Sequence, residues 1–491
     1  MQTRTFFGLL ILTFGFTLSD QRDQRIAQST PLMLQHITVI DATGSPAKPD
    51  MTAVITGGHI SEIGDGKSVH VPKDAKVIDA RNKFLIPGLW DMHAHVLTDK
   101  AEMLLPMLVA NGITGAREMG NDSDVPVEAM DSIRKKVEQR TLVGPRVLMA
   151  GHILDGPKPV LPSNVALSNE LQARQTVVDL KKSGVDFIKV YTALPKDLYF
   201  AIADEAKKQG LPFVGHVPIS ITAEEASDSG QKSFEHMTGV VGGCSRRESE
   251  LRPALLKKYE NFHGSLSELI RFLFVVYQQQ LLDSYDPEKA AALFEHLRKN
   301  GTWQCPTLVA LRTIAFFDDH SFTKDSRLKY VPRSWTFWTD PDRRHTNEWL
   351  KDLTDEDYAN EKRAFEKRLE IVGAMHRAGV KFLAGTDTAL PSVYPGFSVH
   401  EEMELFVKAG MTPMEALQTA TSNPAKFLNM DRDLGTIQKG KIADLVLLDA
   451  NPLDNINNTQ SINAVVVNGR LLDRKALDTL LRQVESSAMK E

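Results

Sequence analysis

The chain has 491 residues, 42% of them apolar, with 58 basic against 63 acidic side chains and a formal net charge of −5. That length accommodates one large domain with a smaller companion, or two to three ordinary domains. Mixed charge without a basic stripe argues against a nucleic-acid partner, and the absence of an apolar run of about 18 residues beyond the N-terminus excludes a polytopic membrane protein.

Arg4 precedes an uncharged, mostly apolar run over 5–18, followed by Ser19, Asp20 and a polar stretch. This pattern predicts a secretory signal peptide cleaved after Ser19, so residues 1–28 are leader and linker and the protein is exported. The run is too short to span a bilayer comfortably, and no stable membrane insertion is expected after cleavage.

Short β-branched runs at 36–41, 53–56, 59–63 and 76–79 are punctuated by Gly44, Gly57, Gly58, Gly64 and Gly66. The same texture returns at 434–437, 444–449 and 464–470. Neither end holds enough apolar residues for its own core, so 29–86 and 425–480 are expected to pair into one small β-sandwich.

Between them, over 87–424, short apolar strands recur at 113–119, 146–150, 185–191, 212–217, 233–237, 302–309 and 380–387, after a first one leading to His93. Amphipathic helices at 171–183 and 196–209 separate some of them. Eight alternating repeats predict an α/β fold, a closed (β/α)8 TIM barrel. Ser398-x-x-Glu401 and Thr412-Pro413-x-Glu415 read as capping boxes opening two later helices. Two connections, 238–301 and 310–379, are much longer than ordinary βα loops. Both follow strands, which puts them on the active-site face as partly helical lids; the second carries Trp335, Phe337, Trp338 and Trp349. Cys244 and Cys305 could form a disulfide after export or remain two buried thiols.

Chemistry-bearing residues gather at the ends of those strands. The first strand delivers His93 and His95, whose spacing of two sends both imidazoles to one face. The fourth ends with Lys189 inside an apolar run, the fifth with His216, the sixth with His236 and the eighth with Asp387. Singly, each has a structural explanation: a core histidine, a snorkelling lysine, a turn-capping aspartate. Their joint occurrence at matching strand ends points to one site.

This order resembles the amidohydrolase superfamily, and within it the imidazolonepropionase- and prolidase-like branch. Leu85-Ile86-Pro87-Gly88, Gly385-Thr386-Asp387 and the closing Gly440-Lys-Ile-Ala-Asp-Leu-Val-Leu447 carry the resemblance over nearly the whole mature chain. It implies that His93, His95 and Asp387 bind one divalent metal ion and His216 and His236 a second, with Lys189 bridging both as a carbamate. Zinc is the expected metal, although histidine and oxygen ligands also suit manganese and iron. The implied activity is hydrolysis of an amide or peptide bond by metal-activated hydroxide, in a dipeptide or N-acyl amino acid, with Asp387 as the catalytic base and then acid. Alternatives are a mononuclear cyclic-amide hydrolase or deaminase, and a non-catalytic binding protein. A small-molecule or short-peptide partner is expected, and a homo-oligomer is possible.

Further residues are placed by spacing. Tyr191, two after Lys189, is expected to face the interior, and Arg117 to offer a charge for a substrate carboxylate. The dipeptide Arg117-Glu118 departs from the Arg-Asp usual in relatives. His152, after the third strand, is a candidate substrate contact. Glu235 alternates with His236 and is expected to point outward, while His400 is read as structural.

Overall fold

A computed structural model describes residues 30–121 and 124–491. The leader and linker expected over 1–28, with its Ser19 cleavage point, lies outside the described residues. No helix among the described residues is long and apolar enough to cross a membrane.

Both chain ends enter one sheet. Leu32–Val39 pairs antiparallel with Lys48–Thr56, which pairs with His59–Asp65, and Lys76–Asp79 runs parallel beside Leu32–Val39. Phe84–Pro87 is the junction, parallel to Leu32–Val39 on one edge and antiparallel to Leu445–Leu448 on the other. Ile462–Val467 and Arg470–Asp473 extend the sheet as a hairpin. Its two-residue turn is Asn468-Gly469, both at positive φ (50° and 72°), the backbone that a tight hairpin demands. All eight strands are linked by hydrogen bonds into one connected sheet. The reason is that Phe84–Pro87 is hydrogen-bonded on both edges and so fuses the halves. Leu34, Ile37, Ile60, Leu85, Leu445, Leu447 and Val466 pack into one apolar cluster. The 434–437 run forms no strand; Ile437 packs into that same apolar cluster and Leu434 into a separate one. Arg474–Ala488 closes the chain, its first turn capped by the Asp473 side chain accepting from Ala476 N at 2.9 Å, a cap that contributes about 1 kcal/mol.

From Leu89 onward strand and helix alternate. Leu89–Ala94, Ile113–Glu118 and Arg146–Met149 make a three-stranded parallel sheet. Val165–Ala166, Ile153–Asp155, Ile188–Val190, Phe213–Gly215, Ser233–Glu235 and Trp303–Cys305 make a six-stranded one, also parallel. Most of these strands are buried along their whole length, as strands covered on both faces must be. The expected eighth strand is not continuous. Residues 380–388 instead make isolated bridges, Phe382 to Gln304 and Thr388 to Ala94. Leu383 N donates to Gln304 O at 2.9 Å and Met92 N to Ala384 O at 2.8 Å. The segment therefore lies between Trp303–Cys305 and Leu89–Ala94, and its extended run ends where Asp387 turns to φ 62°.

The helix expected at 171–183 is Glu170–Lys182, started by Asn169, and that at 196–209 is Lys196–Lys208. Thr412 and Glu415 form their reciprocal cap. Ser398 and Glu401 do not: the helix is Phe397–Lys408, begun by Gly396 at φ 80°. Ser398 Oγ accepts from Tyr394 N, and Glu401 pairs with Arg312 and Arg327. The long connections are largely helical, with Glu248–Glu260 and Pro287–Asn300 in the first and Asp355–Arg377 in the second. Leu293 and Leu297 from one, and Phe365, Leu369 and Val372 from the other, join the main core, so part of each is packing.

Candidate active site

Four imidazoles and one carboxylate meet at the strand ends. Asp387 Oδ1 lies 3.3 Å from Nε2 of both His93 and His95, and its Oδ2 is 3.9 Å from Nδ1 of His236. Ring centroids are 4.5 Å apart for His93 and His236, and 4.9 Å apart for His236 and His216. One potential ligand atom from each of His93, His236 and Asp387 falls within a 4.8 Å span.

The Nδ1 atom of every imidazole is tethered to an oxygen: His93 to Glu235 at 2.8 Å, His95 to Gly120 O at 2.6 Å, His216 to Thr192 Oγ1 at 2.7 Å and His236 to Thr307 Oγ1 at 2.7 Å. Among the described residues the Nε2 atoms have no tether of that kind; those of His93 and His95 face only Asp387 Oδ1 at 3.3 Å, and that of His93 is fully buried. An imidazole fixed through one nitrogen and bare at the other is how proteins present a metal ligand. Burial holds the His93, His216 and His236 rings below the usual histidine range, His236 to about 3. Burial opposes the charge on Asp387, yet His236 and His93 beside it hold its carboxyl well below the ordinary range. His95 differs: burial lowers its ring, but Asp387 beside it raises it overall. Imidazoles around a carboxylate are a donor set that fits a divalent cation.

Lys189 fits the same centre. It is 1% exposed and forms no hydrogen bond among the described residues, and burial brings its amine down to about 8, toward the neutral form that could accept carbon dioxide. Its neighbour strand makes room: Gly215, at φ 128°, has a backbone position where a Cβ would lie 2.2 Å from Val190 O and 3.1 Å from Lys189 Cδ.

Two sequence expectations are corrected here. Glu235 does not point outward; it is completely buried, and its carboxylate meets His93 Nδ1 and, at 2.8 Å, Arg117 Nη2. The strand ends at Glu235, and His236 and Met237 turn to φ 56° and 59°. That left-handed step breaks the two-residue alternation, so Glu235 and His236 both reach the centre. Thr307 and Asp387 also have positive φ, 47° and 62°; non-glycine residues held there cost roughly 1–3 kcal/mol each and cluster at functional sites. Arg117, in turn, is not a substrate contact. Fully buried, it donates to Met92 O at 2.6 Å, Ser233 Oγ at 3.0 Å and Glu235, because Glu235 turned inward needs a counter-charge.

Tyr191 stacks on His216 with centroids 4.1 Å apart, and burial together with Asp387 raises its phenol. His152 Nε2 is engaged by Val125 O at 2.9 Å. Glu118 accepts from Val96 N at 2.5 Å and Leu97 N at 2.8 Å, pinning the chain just past His95. His400 bridges Thr459 Oγ1 and Asn111 O, a structural role. Cys244 and Cys305 are free and buried. Sequence reasoning missed Thr192, Thr307 and Asp91. Asp91 accepts from Thr386 Oγ1 at 2.6 Å and from His93 N at 3.2 Å, and its two-residue spacing from His93 would have shown it; the two threonines leave no local signal.

The sequence model of the amidohydrolase family matches residues 84–472. Ochratoxinase of Aspergillus niger is 33% identical over 115 residues, a stretch covering 23% of this chain and 23% of that protein. Among solved structures, bottromycin amidohydrolase superposes with a TM-score of 0.71 at 23% identity, over 97% of this chain and 95% of the other. A Xaa-Pro dipeptidase with methionine bound in its active site gives 0.64 at 19% identity, over 90% of this chain and all (100%) of the other. At these identities the structural likeness speaks for the fold, whereas the family model spans most of the chain. The chain belongs to the amidohydrolase family.

Proposed function

We propose that this protein is an exported binuclear metal-dependent amidohydrolase that cleaves the amide or peptide bond of a dipeptide or N-acyl amino acid. Its two parallel sheets and the 380–388 segment would close as a (β/α)8 barrel in which Arg146–Met149 and Ile153–Asp155 count as one strand, Asp186 N bonding to Met149 O at 2.9 Å, and Val165–Ala166 lies outside the ring. The observation that carries the reading is the set of four imidazoles, each tethered through Nδ1, with Nε2 of His93 and His95 turned to Asp387.

His93, His95 and Asp387 would hold one divalent ion, His216 and His236 the other, with carbamylated Lys189 between them; zinc is the metal we favour. Bound there, such ions lower the pKa of water and polarise a carbonyl. The chain supplies the rest. Asp387 accepts the proton of the attacking water and returns it to the leaving nitrogen. Glu235, Gly120 O, Thr192 and Thr307 fix the rings, sparing reorganisation during reaction. Tyr191, against His216, offers a phenol to substrate. The dipeptidase and ochratoxinase likenesses support small amide substrates, and the apolar run after Arg4 supports export.

The test is metal content together with turnover. Protein reconstituted with zinc and bicarbonate should bind about two ions per chain and release amine from N-acyl amino acids or dipeptides. Lys189→Ala should lose most of the metal. A wild-type protein that folds but binds no divalent ion would overturn the proposal, and reconstitution without any carbon dioxide would remove the carbamate from it.

A further inference from the structure

The insertion after Trp303–Cys305 buries an arginine with no counter-charge. Arg343 is 3% exposed and forms no ion pair among the described residues. Its guanidinium carbon lies 3.3 Å from the Phe322 ring centroid and 4.3 Å from that of Phe317. Aromatic faces stabilise a cation but accept none of its in-plane hydrogen bonds. Of those, Nη1 donates to Ser392 Oγ at 3.1 Å, whereas Nε is buried without a partner. Among the described residues Nη2 makes no hydrogen bond. Asp319, an acid whose charge reaches Arg343, accepts from Ser321 N at 2.8 Å and forms no ion pair with it among the described residues.

The surroundings hold other buried polar atoms without hydrogen-bond partners, Asp318 Oδ1 among them. Tyr394 and Tyr358, whose phenols burial raises and keeps uncharged, lie close to Arg343 and have buried hydroxyls without hydrogen-bond partners. Trp338, whose ring is 5.1 Å from that of Tyr394, has an unpaired buried Nε1–H. A buried cation without an ion pair, beside further buried polar groups that lack partners, is costly unless something anionic completes it. Burial pulls the guanidinium down to about 10, the direction expected of a charge without a partner. The vacant pair, Nε–H and one Nη2–H, are parallel donors on one edge, the fork that matches a carboxylate.

We propose that Arg343, with Ser392, forms a carboxylate-binding subsite between the strand-seven insertion and the loop that follows Asp387. That loop starts at the site itself, with Leu390 N bonded to Asp387 O at 3.4 Å, and carries both Ser392 and Tyr394. A carboxylate seated on Arg343 would therefore fix the segment next to the catalytic carboxylate. It could be the free carboxylate of a substrate, which rests on the amide-hydrolase reading, or that of a separate small acid, which does not.

The experiment titrates sodium acetate into the full-length protein, with sodium chloride at equal ionic strength as control, and follows thermal unfolding and heat of binding. Wild type should show a saturable acetate response, and Arg343→Lys, which keeps the charge but loses the fork, should weaken it about tenfold or more. Ser392→Ala should weaken it less, and serves if arginine variants fail to fold. N-acetylphenylalanine and its neutral amide then separate the sources. Tighter binding of the acid than of acetate, lost in the amide, identifies a substrate carboxylate; equal binding of acid and acetate identifies a small-acid site. No saturable response, an equal response to chloride, or an unchanged response in Arg343→Lys would overturn the subsite. None of these readouts needs turnover, so an inactive protein that binds acetate would refute the hydrolase reading alone.

Discussion

Replacing Glu235 tests whether the interior of the fold is organised around it. Oε1 accepts from Arg117 Nη2 at 2.8 Å and Ser233 Oγ at 2.5 Å, and Oε2 lies 2.8 Å from His93 Nδ1. Arg117 and Glu235 are both fully buried, so solvent does not screen the pair. Glu235→Ala strands a buried guanidinium, which costs about 3–5 kcal/mol. Arg117 retains Met92 O at 2.6 Å, which places the expected loss toward the lower end of that range. Urea unfolding of metal-free protein measures it. Arg117→Met combined with Glu235→Leu should cost clearly less than the two single changes added, because removing both charges leaves neither one unpaired. The pH dependence has a definite sign. Burial opposes ionisation of Glu235, but Arg117 and His93 overcome it and hold the carboxyl below its ordinary value of 4.5. Its contribution is thus present above that value and declines as pH falls toward the folded one. The stability gap between wild type and Glu235→Gln should narrow in that acidic range. A loss under about 1 kcal/mol in Glu235→Ala, or strictly additive losses in the double variant, would refute the reasoning.

Asp387→Asn should cost about 10²–10⁴-fold in turnover while unfolding stays cooperative, measured as amine release; near-normal turnover with metal bound would count against a proton-transfer role. Gly385→Ala places a Cβ 2.5 Å from Cys305 Sγ and 2.7 Å from His93 Cβ. It should destabilise by about 1–3 kcal/mol and weaken zinc binding, and an unchanged melting temperature would show that the backbone there yields freely. Glu402 is buried, which pushes its carboxyl to about 8 although Leu308 N and Val309 N pull it back. Because the folded value exceeds the unfolded one, its contribution is whole below about 4.5 and is lost as pH rises through about 8. Urea unfolding across that range should show wild type declining more steeply than Glu402→Gln; parallel profiles would contradict this.

What the sequence determined by itself was the identity of the groups gathered at the strand ends. His93 and His95 at spacing two, Lys189 within Ile188–Val190, and His216, His236 and Asp387 at later strand ends were legible because parallel strands put their C-terminal ends on one face. The alternation of β and α over the middle of the chain was legible for the same local reason, the period of apolar residues. Tertiary structure alone decided which way the backbone turned at those ends. Alternation assigned Glu235 to the outside, and a left-handed residue at His236 reversed it. Arg117 then became the buried partner of Glu235 and was lost to substrate. Likewise Thr192 and Thr307 hold His216 and His236 across 24 and 71 residues of chain, and Phe84–Pro87 fuses the two chain ends into one sheet. Periodicity reports the face on which a regular strand presents a side chain. It does not report where the strand stops, because that is set by hydrogen bonds and counter-charges supplied from distant parts of the chain.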